Sequence, residues 1–244
     1  MKLTERIHLV GSGMLGMNQT DDYDCNVYLL NAGDAYVLFD GGAGRRPEAV
    51  LEQVRADGLD ERKIAYIVAT HAHADHSGGL RRLRERTGAV VLGSPETARI
   101  LTDNDAQAIR LPDAKAAGVY PADYDWAGCP DVSAIFDGAR LKVGPFTLEW
   151  IAAPGHSSDM TCCYVRELRA LFSGDAVFAG GQIAALSTPD FSWTDLAASI
   201  ARLAECEIEG LFPGHLHPVL RHGGRSVAAA RDSFAAGEAP RSIV

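Results

Sequence analysis

Between Thr70 and Gly79 the chain reads THAHADHSGG, which sets His71, His73, Asp75 and His76 within one short stretch. Imidazole nitrogens and carboxylate oxygens are common ligands of zinc and related ions, so these residue types at this spacing point to a metal site. Four such groups crowded into one turn would need a sharp bend, and further ligands must come from elsewhere in the chain. Three segments offer them: APGHSSD with His156, LFSGDAVF with Asp175 and LFPGHLHP with His215. Each places its ligand-type residue just after an apolar run, in a glycine-containing turn. Strand ends along one edge of a sheet can converge, and these groups together hold five of the chain's eight histidines.

Residues Arg6 to Val10, Cys25 to Asn31 and Ala35 to Asp40 read as strands, the last two joined by a turn over Asn31 to Asp34, which makes an antiparallel start. Pro47 to Gly58 reads as a helix with proline at its entry and glycine at its exit. KIAYIVAT is then an apolar strand that ends at the histidine cluster, Ser77 to Arg86 a basic-faced helix and AVVLG another strand, an α/β alternation. From Ser94 to Asp137 this rhythm breaks, and helical pieces such as Glu96 to Leu101 mix with Pro112, Pro121 and Pro130 and with Tyr120, Tyr124 and Trp126. The segment 94–137 is expected to be a lid or insertion within a single domain spanning 1–244, its aromatics either setting specificity or forming a small core of their own. Strands follow at Arg140 to Val143, Phe146 to Ala152, Thr161 to Arg166 and Ala170 to Ser173. A helix from Thr194 to Ala204, a strand from Ile208 to Phe212 and a helix near Arg225 to Ala235 complete the chain.

With 244 residues, 47% hydrophobic and 23% charged, the chain can bury a substantial core and is neither disordered nor collagen-like. A net charge of -9 argues against a protein that lives on phosphate backbones. No apolar stretch approaches membrane-spanning length, and Glu5 and Arg6 stand where a secretory signal would need an apolar run, so a cytoplasmic setting is expected. Five cysteines without a CxxC pair fit reduced thiols better than a disulfide framework, and the adjacent Cys162 and Cys163 should point to opposite faces of a strand. GSGMLG, Gly11 to Gly16, has the spacing of a dinucleotide fingerprint, but the continuation MNQTDDYDCN lacks helical periodicity and runs into a strand. Without a helix N-terminus there are no amides to hold a pyrophosphate, and the stretch reads as a glycine-rich loop whose Met14 could cover a nearby site.

The order HxHxDH, then His156, Asp175 and His215, resembles the metallo-β-lactamase superfamily, over nearly the whole chain from VLFDGG to FPGHLHP. The resemblance implies an α/β fold, an αββα four-layer sandwich of two mixed β-sheets flanked by helices. It also implies two divalent metal ions, zinc first, with iron or manganese as alternatives. His71, His73 and His156 would hold one ion, Asp75, His76 and His215 the other, and Asp175 would bridge them. The spacing suits this division: in an extended exit from a strand His71 and His73 point to one side, while Asp75 and His76 lie where the chain has turned toward the next helix. Asp40, closing YVLFD, matches the superfamily's strand-end aspartate and would orient the histidine loop through hydrogen bonds. His217 is read as supporting the site or facing the substrate, and His8 and His222 as structural.

Two Lewis-acidic ions sharing a water make hydroxide available at neutral pH. The expected activity is therefore metal-dependent hydrolysis of an ester, thioester or lactone of a small molecule through a bridging hydroxide. Asp75 would orient the nucleophile or pass its proton, with His217 or a tyrosine helping the substrate oxygen. SGDAVFAGG is similar to hydroxyacylglutathione hydrolase, Phe178 included, yet Gln182 stands after Gly181 where that branch carries a Cys-Gly-basic run. Acyl-homoserine lactonases carry tyrosine where Phe178 stands, and secreted β-lactamases lack the aspartate of HxHxDH. The alternatives are a persulfide-dioxygenase-like oxidoreductase with one iron, or a phosphodiesterase-type member of the superfamily. A small-molecule substrate is expected, with neither nucleic acid nor membrane as partner, and a homodimer is compatible with the sequence.

Overall fold

Three short apolar strands, β1 (Ile7–Gly11), β2 (Val27–Asn31) and β3 (Tyr36–Phe39), pair antiparallel in sequence order. The computed structural model describes all residues from Met1 to Val244, and the chain divides into two units, Met1–Ile135 and Phe136–Val244. In the first unit, β4 (Ile64–Val68) joins β3 in parallel, and a parallel neighbour requires a crossover. Helix α1 (Pro47–Ala56) supplies it, entered through proline and burying Val50, Leu51 and Val54. β5 (Val90–Gly93) is parallel to β4, and the two-residue β6 (Ser133–Ala134) is parallel to β5, so the sheet runs β1-β2-β3-β4-β5-β6.

The connection from β5 to β6 takes up residues 94–132, most of the segment 94–137, with α4 (Pro95–Asp103), capped by Ser94, and α5 (Leu111–Ala116) inside it. Its apolar residues are not set apart: Ile100, Leu101, Ile109, Leu111, Tyr124 and Trp126 share one core cluster with Val27, Leu29, Leu38 and Ile67 of the sheet. Between β4 and β5 the expected single helix is two, α2 (Ala74–Ser77) and α3 (Leu80–Thr87). The break falls at Gly78 and Gly79, where added Cβ atoms would lie 2.1 Å from the Ala43 and Gly41 carbonyl oxygens respectively. Both glycines have ordinary helical dihedrals, so what they supply is space for two backbones to meet. The Gly79 amide donates to the Gly42 carbonyl and the Gly41 amide to the His76 carbonyl, which stitches the turn after β3 to α2.

In the second unit β7 (Arg140–Val143), β8 (Phe146–Ala152), β9 (Thr161–Val165) and β10 (Ala170–Gly174) form an antiparallel meander. β11 (Gly210–Pro213) lies parallel to β10 after a crossover through α6 (Trp193–Leu203), giving the order β11-β10-β9-β8-β7. Ser192 caps α6 by accepting from the Asp195 amide. Leu196, Ile200 and Leu203 recur at helical spacing and pack in one cluster with Ile151, Cys162, Leu171 and, from α7 (Gly224–Ala235), Val227. Each such fully buried aliphatic side chain contributes about 1.5–3 kcal/mol relative to exposure. Cys162 belongs to this cluster while its neighbour Cys163, also buried, does not, as alternation along a strand requires. No helix is long and apolar enough to cross a membrane.

Candidate functional site

In the first unit the donor residues gather where β3 and β4 end. Asp40 follows β3 in the left-handed region (φ 63°), a conformation that Asp tolerates better than most residues, and its carboxylate is buried. Its Oδ1 accepts from the Thr70 amide at 2.8 Å, and its Oδ2 accepts from the Thr70 hydroxyl at 2.9 Å and from His76 Nδ1 at 2.9 Å. A carboxylate only accepts, so His76 carries its proton on Nδ1 and presents Nε2 as a lone-pair atom. The Thr70 hydroxyl spends its one proton on Asp40 and therefore accepts from His71 Nδ1, 3.0 Å away, which sets His71 in the same tautomer. This carboxylate-hydroxyl relay is how metal-binding imidazoles are commonly oriented. The His71 ring lies 4.6 Å from that of His73 and 4.2 Å from that of His76, so the three histidines share one side of the turn.

Asp75 and His76 stand in the first turn of α2, with Asp75 Oδ2 3.7 Å from His76 Nε2. Tyr120 donates to Asp75 Oδ1 at 3.1 Å. Burial and the adjacent Asp75 charge hold this phenol well above its ordinary pKa, so it remains a donor. The same segment grips the loop twice more: the Tyr124 hydroxyl reaches the Ala43 carbonyl at 2.6 Å and the Ala74 carbonyl at 3.2 Å, and Trp126 Nε1 donates to the Ser77 hydroxyl at 2.9 Å. Three aromatics of 120–126 thus clamp the histidine turn.

Cys25, Asp40 and His76 also lie with donor atoms within 4.8 Å of one another. They make poor metal ligands as a set, because burial pushes the Cys25 thiol up to about 12 and His76 Nδ1 already donates to Asp40. Met14 is 68% exposed on the loop after β1, and no helix follows GSGMLG before α1, so the nucleotide fingerprint is without its amides. That loop is tied to the turn after β3 by Asp24, whose Oδ1 accepts from the Ala43 amide at 2.8 Å.

In the second unit His156 follows β8, Asp175 follows β10 and His215 follows β11, and all three are buried. His156 Nδ1 donates to the Ala184 carbonyl at 3.0 Å, which leaves Nε2 as its lone-pair atom. Asp175 Oδ2 lies 3.6 Å from His156 Nε2 and 3.4 Å from His215 Nε2. A lone-pair nitrogen and a carboxylate oxygen at such distances gain most from a positive charge beside both. Neutral imidazoles and carboxylates are the ligands that borderline divalent ions take, so the donor set of each unit fits such an ion. Phe178 is fully buried, its ring 6.2 Å from that of His215. Gln182 turns back on its own loop, donating to the Ala179 carbonyl at 3.2 Å. His217 is exposed, one residue beyond Leu216, which sits at φ 59°.

Thr70, Tyr120 and Ala184 thus support the donors without having been singled out for that role by residue pattern. The comparisons with known proteins run across both units. An acyl-coenzyme A thioesterase of Gallus gallus is 31% identical over 211 residues, covering 79% of this chain and 72% of that protein. A beta-lactamase-like protein 2 homolog of Caenorhabditis elegans is 28% identical over 190 residues, 78% of this chain and 55% of that protein, so the chain spans about half the length of this relative. A solved metallo-beta-lactamase family protein from Thermus thermophilus superposes with a TM-score of 0.74 at 21% identity, covering 96% of this chain and 81% of that one. That likeness shows the fold: α/β, with two mixed sheets and flanking helices. The profile of the metallo-beta-lactamase superfamily matches residues 20–215, and on that match the chain belongs to this superfamily.

Proposed function

We propose that this protein is a metal-dependent hydrolase of small-molecule carboxylic thioesters, within a wider class that includes esters and lactones. In this reading His71, His73, Asp75 and His76 join His156, Asp175 and His215 in one two-metal centre, with zinc the first choice. The observation that carries it is the pairing of Nε2 and Oδ2 at 3.7 Å in His76 and Asp75 and again at 3.6 Å in His156 and Asp175, each imidazole turned outward by a hydrogen bond at Nδ1. The thioester preference draws on the name of the chicken relative, an acyl-coenzyme A thioesterase.

Two divalent ions held there would supply Lewis acidity, that is, a water of lowered pKa and a polarised carbonyl. The chain's own groups do the rest. Asp75 has one oxygen engaged by Tyr120, and its other oxygen orients the attacking water and takes its proton. Attack forms the new C–O bond, the C–S bond breaks, and the proton taken from water passes to the departing sulfur. His217, exposed next to the His215 turn, is assigned to the substrate oxygen, and Met14 to the acyl chain. Phe178 packs an apolar ring beside His215, which lowers the local dielectric and strengthens every charge interaction there. All five cysteines are free thiols, which fits a reducing compartment such as the cytoplasm.

The test is a panel of acyl-coenzyme A thioesters, acyl-homoserine lactones and aryl esters, assayed on protein stripped by chelator and then reloaded with defined ions. Thioester cleavage that disappears on stripping and returns with zinc is the expected result. Full thioester turnover by the stripped protein, or no cleavage of any panel member by the reloaded one, overturns the reading.

A further inference from the structure

Tyr120 reaches the histidine turn from 45 residues downstream in sequence, and among the segment's aromatics it alone hydrogen-bonds a proposed ligand side chain. Two neighbouring rings hold its own: Tyr124 stacks on it at 5.0 Å between centroids and 27° between planes, and Tyr23 lies against it, tilted, at 5.8 Å. Tyr124 is itself anchored to the Ala43 carbonyl, and the Arg45 guanidinium lies 5.1 Å over the Tyr23 ring. A phenol so constrained donates along one direction, to Oδ1 of Asp75 at 3.1 Å. Asp75 stands on a four-residue helix with its carboxyl half-buried, and a short Asp side chain on so short a helix keeps several carboxylate orientations within reach. The Tyr120 hydrogen bond selects the orientation in which Oδ2 lies toward His76 Nε2.

We infer that Tyr120 is a positioning residue: by holding Oδ1 of Asp75 it turns Oδ2 toward His76 Nε2, where that oxygen would help hold one ion and meet the water it orients, and so it sets the affinity of one metal position and the rate of proton transfer there. The inference rests on the proposed two-metal reading, in which Asp75 is both ligand and proton acceptor. Removal of a hydrogen bond that orients a metal ligand weakens metal affinity by about 10–100-fold. The Thr70 hydroxyl orients His71 and the Ala184 carbonyl orients His156, neither of them through Tyr120, so the other metal position should keep its affinity.

The experiment compares wild type with Tyr120→Phe, which keeps the ring stack and deletes only the donor, and with Tyr124→Phe, which deletes the neighbouring hydroxyl. Apo proteins are titrated with Zn2+ by calorimetry and with Co2+ by visible absorption, and folding is checked by circular dichroism and thermal melting. In Tyr120→Phe the weaker of two dissociation constants should rise about tenfold or more while the tighter one holds, the Co2+ bands of the weaker site should shift, and kcat should fall with KM little changed. Tyr124→Phe, which keeps the stacked ring and removes only its anchor, should lower the melting temperature and raise the weaker constant by less than Tyr120→Phe does. Two ions bound by Tyr120→Phe with wild-type constants, or an equal loss at both sites, refutes the positioning role alone. A wild-type protein that takes up fewer than two ions refutes the two-metal reading and the inference with it. If Tyr120→Phe does not fold, 3-fluorotyrosine at this position gives the second measurement, because a wild-type Co2+ spectrum with the altered donor would also refute the role.

Discussion

Replacing Asp40 by asparagine tests the relay that turns the imidazoles. The native carboxylate takes three donors, the Thr70 amide, the Thr70 hydroxyl and His76 Nδ1, at 2.8–2.9 Å, and it is 2% exposed. Asparagine is nearly isosteric and keeps a carbonyl oxygen for the Thr70 amide. Its NH2, however, now occupies the position of Oδ2 and must donate where Oδ2 accepted. His76 can meet that donor only by shifting its own proton to Nε2, the atom proposed to bind metal. The loss of a charged hydrogen bond costs about 1.5–3 kcal/mol of stability. For a chain of this size that is a fall in melting temperature of about 3–12 °C. Metal affinity at the position served by His76 should fall by about 10–100-fold. Competition against a chromophoric chelator, run beside urea unfolding of the metal-free protein, separates the two effects. Aspartate-to-asparagine protein that unfolds earlier yet binds both ions as wild type does would show that Asp40 only packs, and the tautomer argument would be refuted. A deletion to alanine is less informative, since it strands all three donors at about 1–3 kcal/mol each, enough to consume most of a domain's net stability.

Three further outcomes can be checked directly. Removing bound metal should lower the melting temperature, because a ligand at a thousandfold its Kd adds about 4 kcal/mol, or about 8–16 °C here; identical melts with chelator and with zinc would contradict metal binding by the donor set. Gly79→Ala should cost at least about 1–3 kcal/mol in urea unfolding, since its Cβ would meet the Gly41 carbonyl at 2.1 Å, and a variant as stable as wild type would show that the two backbones can part at no cost. Iodoacetamide at pH 8 should modify the half-buried Cys206 first in the native protein and reach Cys25, Cys162 and Cys163 only on unfolding, because burial pushes these three thiols up, Cys25 to about 12; mass spectrometry of the labelled peptides decides.

The residues that carry the proposed chemistry were legible because each is tied to a local pattern. His71, His156, Asp175 and His215 each follow an apolar run that forms a strand, and β8 runs from Phe146 to Ala152 as its alternation implies. Elements without such a pattern were not visible. β6 has two residues, both exposed, and exists through its pairing with Leu92 and Gly93. The break between α2 and α3 depends on how closely the Gly41–Gly44 turn approaches Gly78 and Gly79, a tertiary fact with no local signature beyond the glycines themselves. Tyr120 lies the same way out of sight, since its bond to Asp75 spans 45 positions.

What joins the legible to the illegible is register. β3 and β4 pair in parallel with Phe39 opposite Val68, so the two strands end level and Asp40 emerges beside Thr70. That alignment lets one carboxylate reach both the Thr70 amide and His76, and through the Thr70 hydroxyl fix His71 as well. A slip of one residue would send alternate side chains to the wrong face and part Asp40 from all three. The pairing of the buried Val37, Leu38 and Phe39 with Tyr66 and the buried Ile67 and Val68 is therefore more than core packing. It is the means by which an unremarkable apolar strand pair sets the tautomers of two histidines beyond its end, and it explains why the supporting residues follow from the fold while the donors can be read from the sequence.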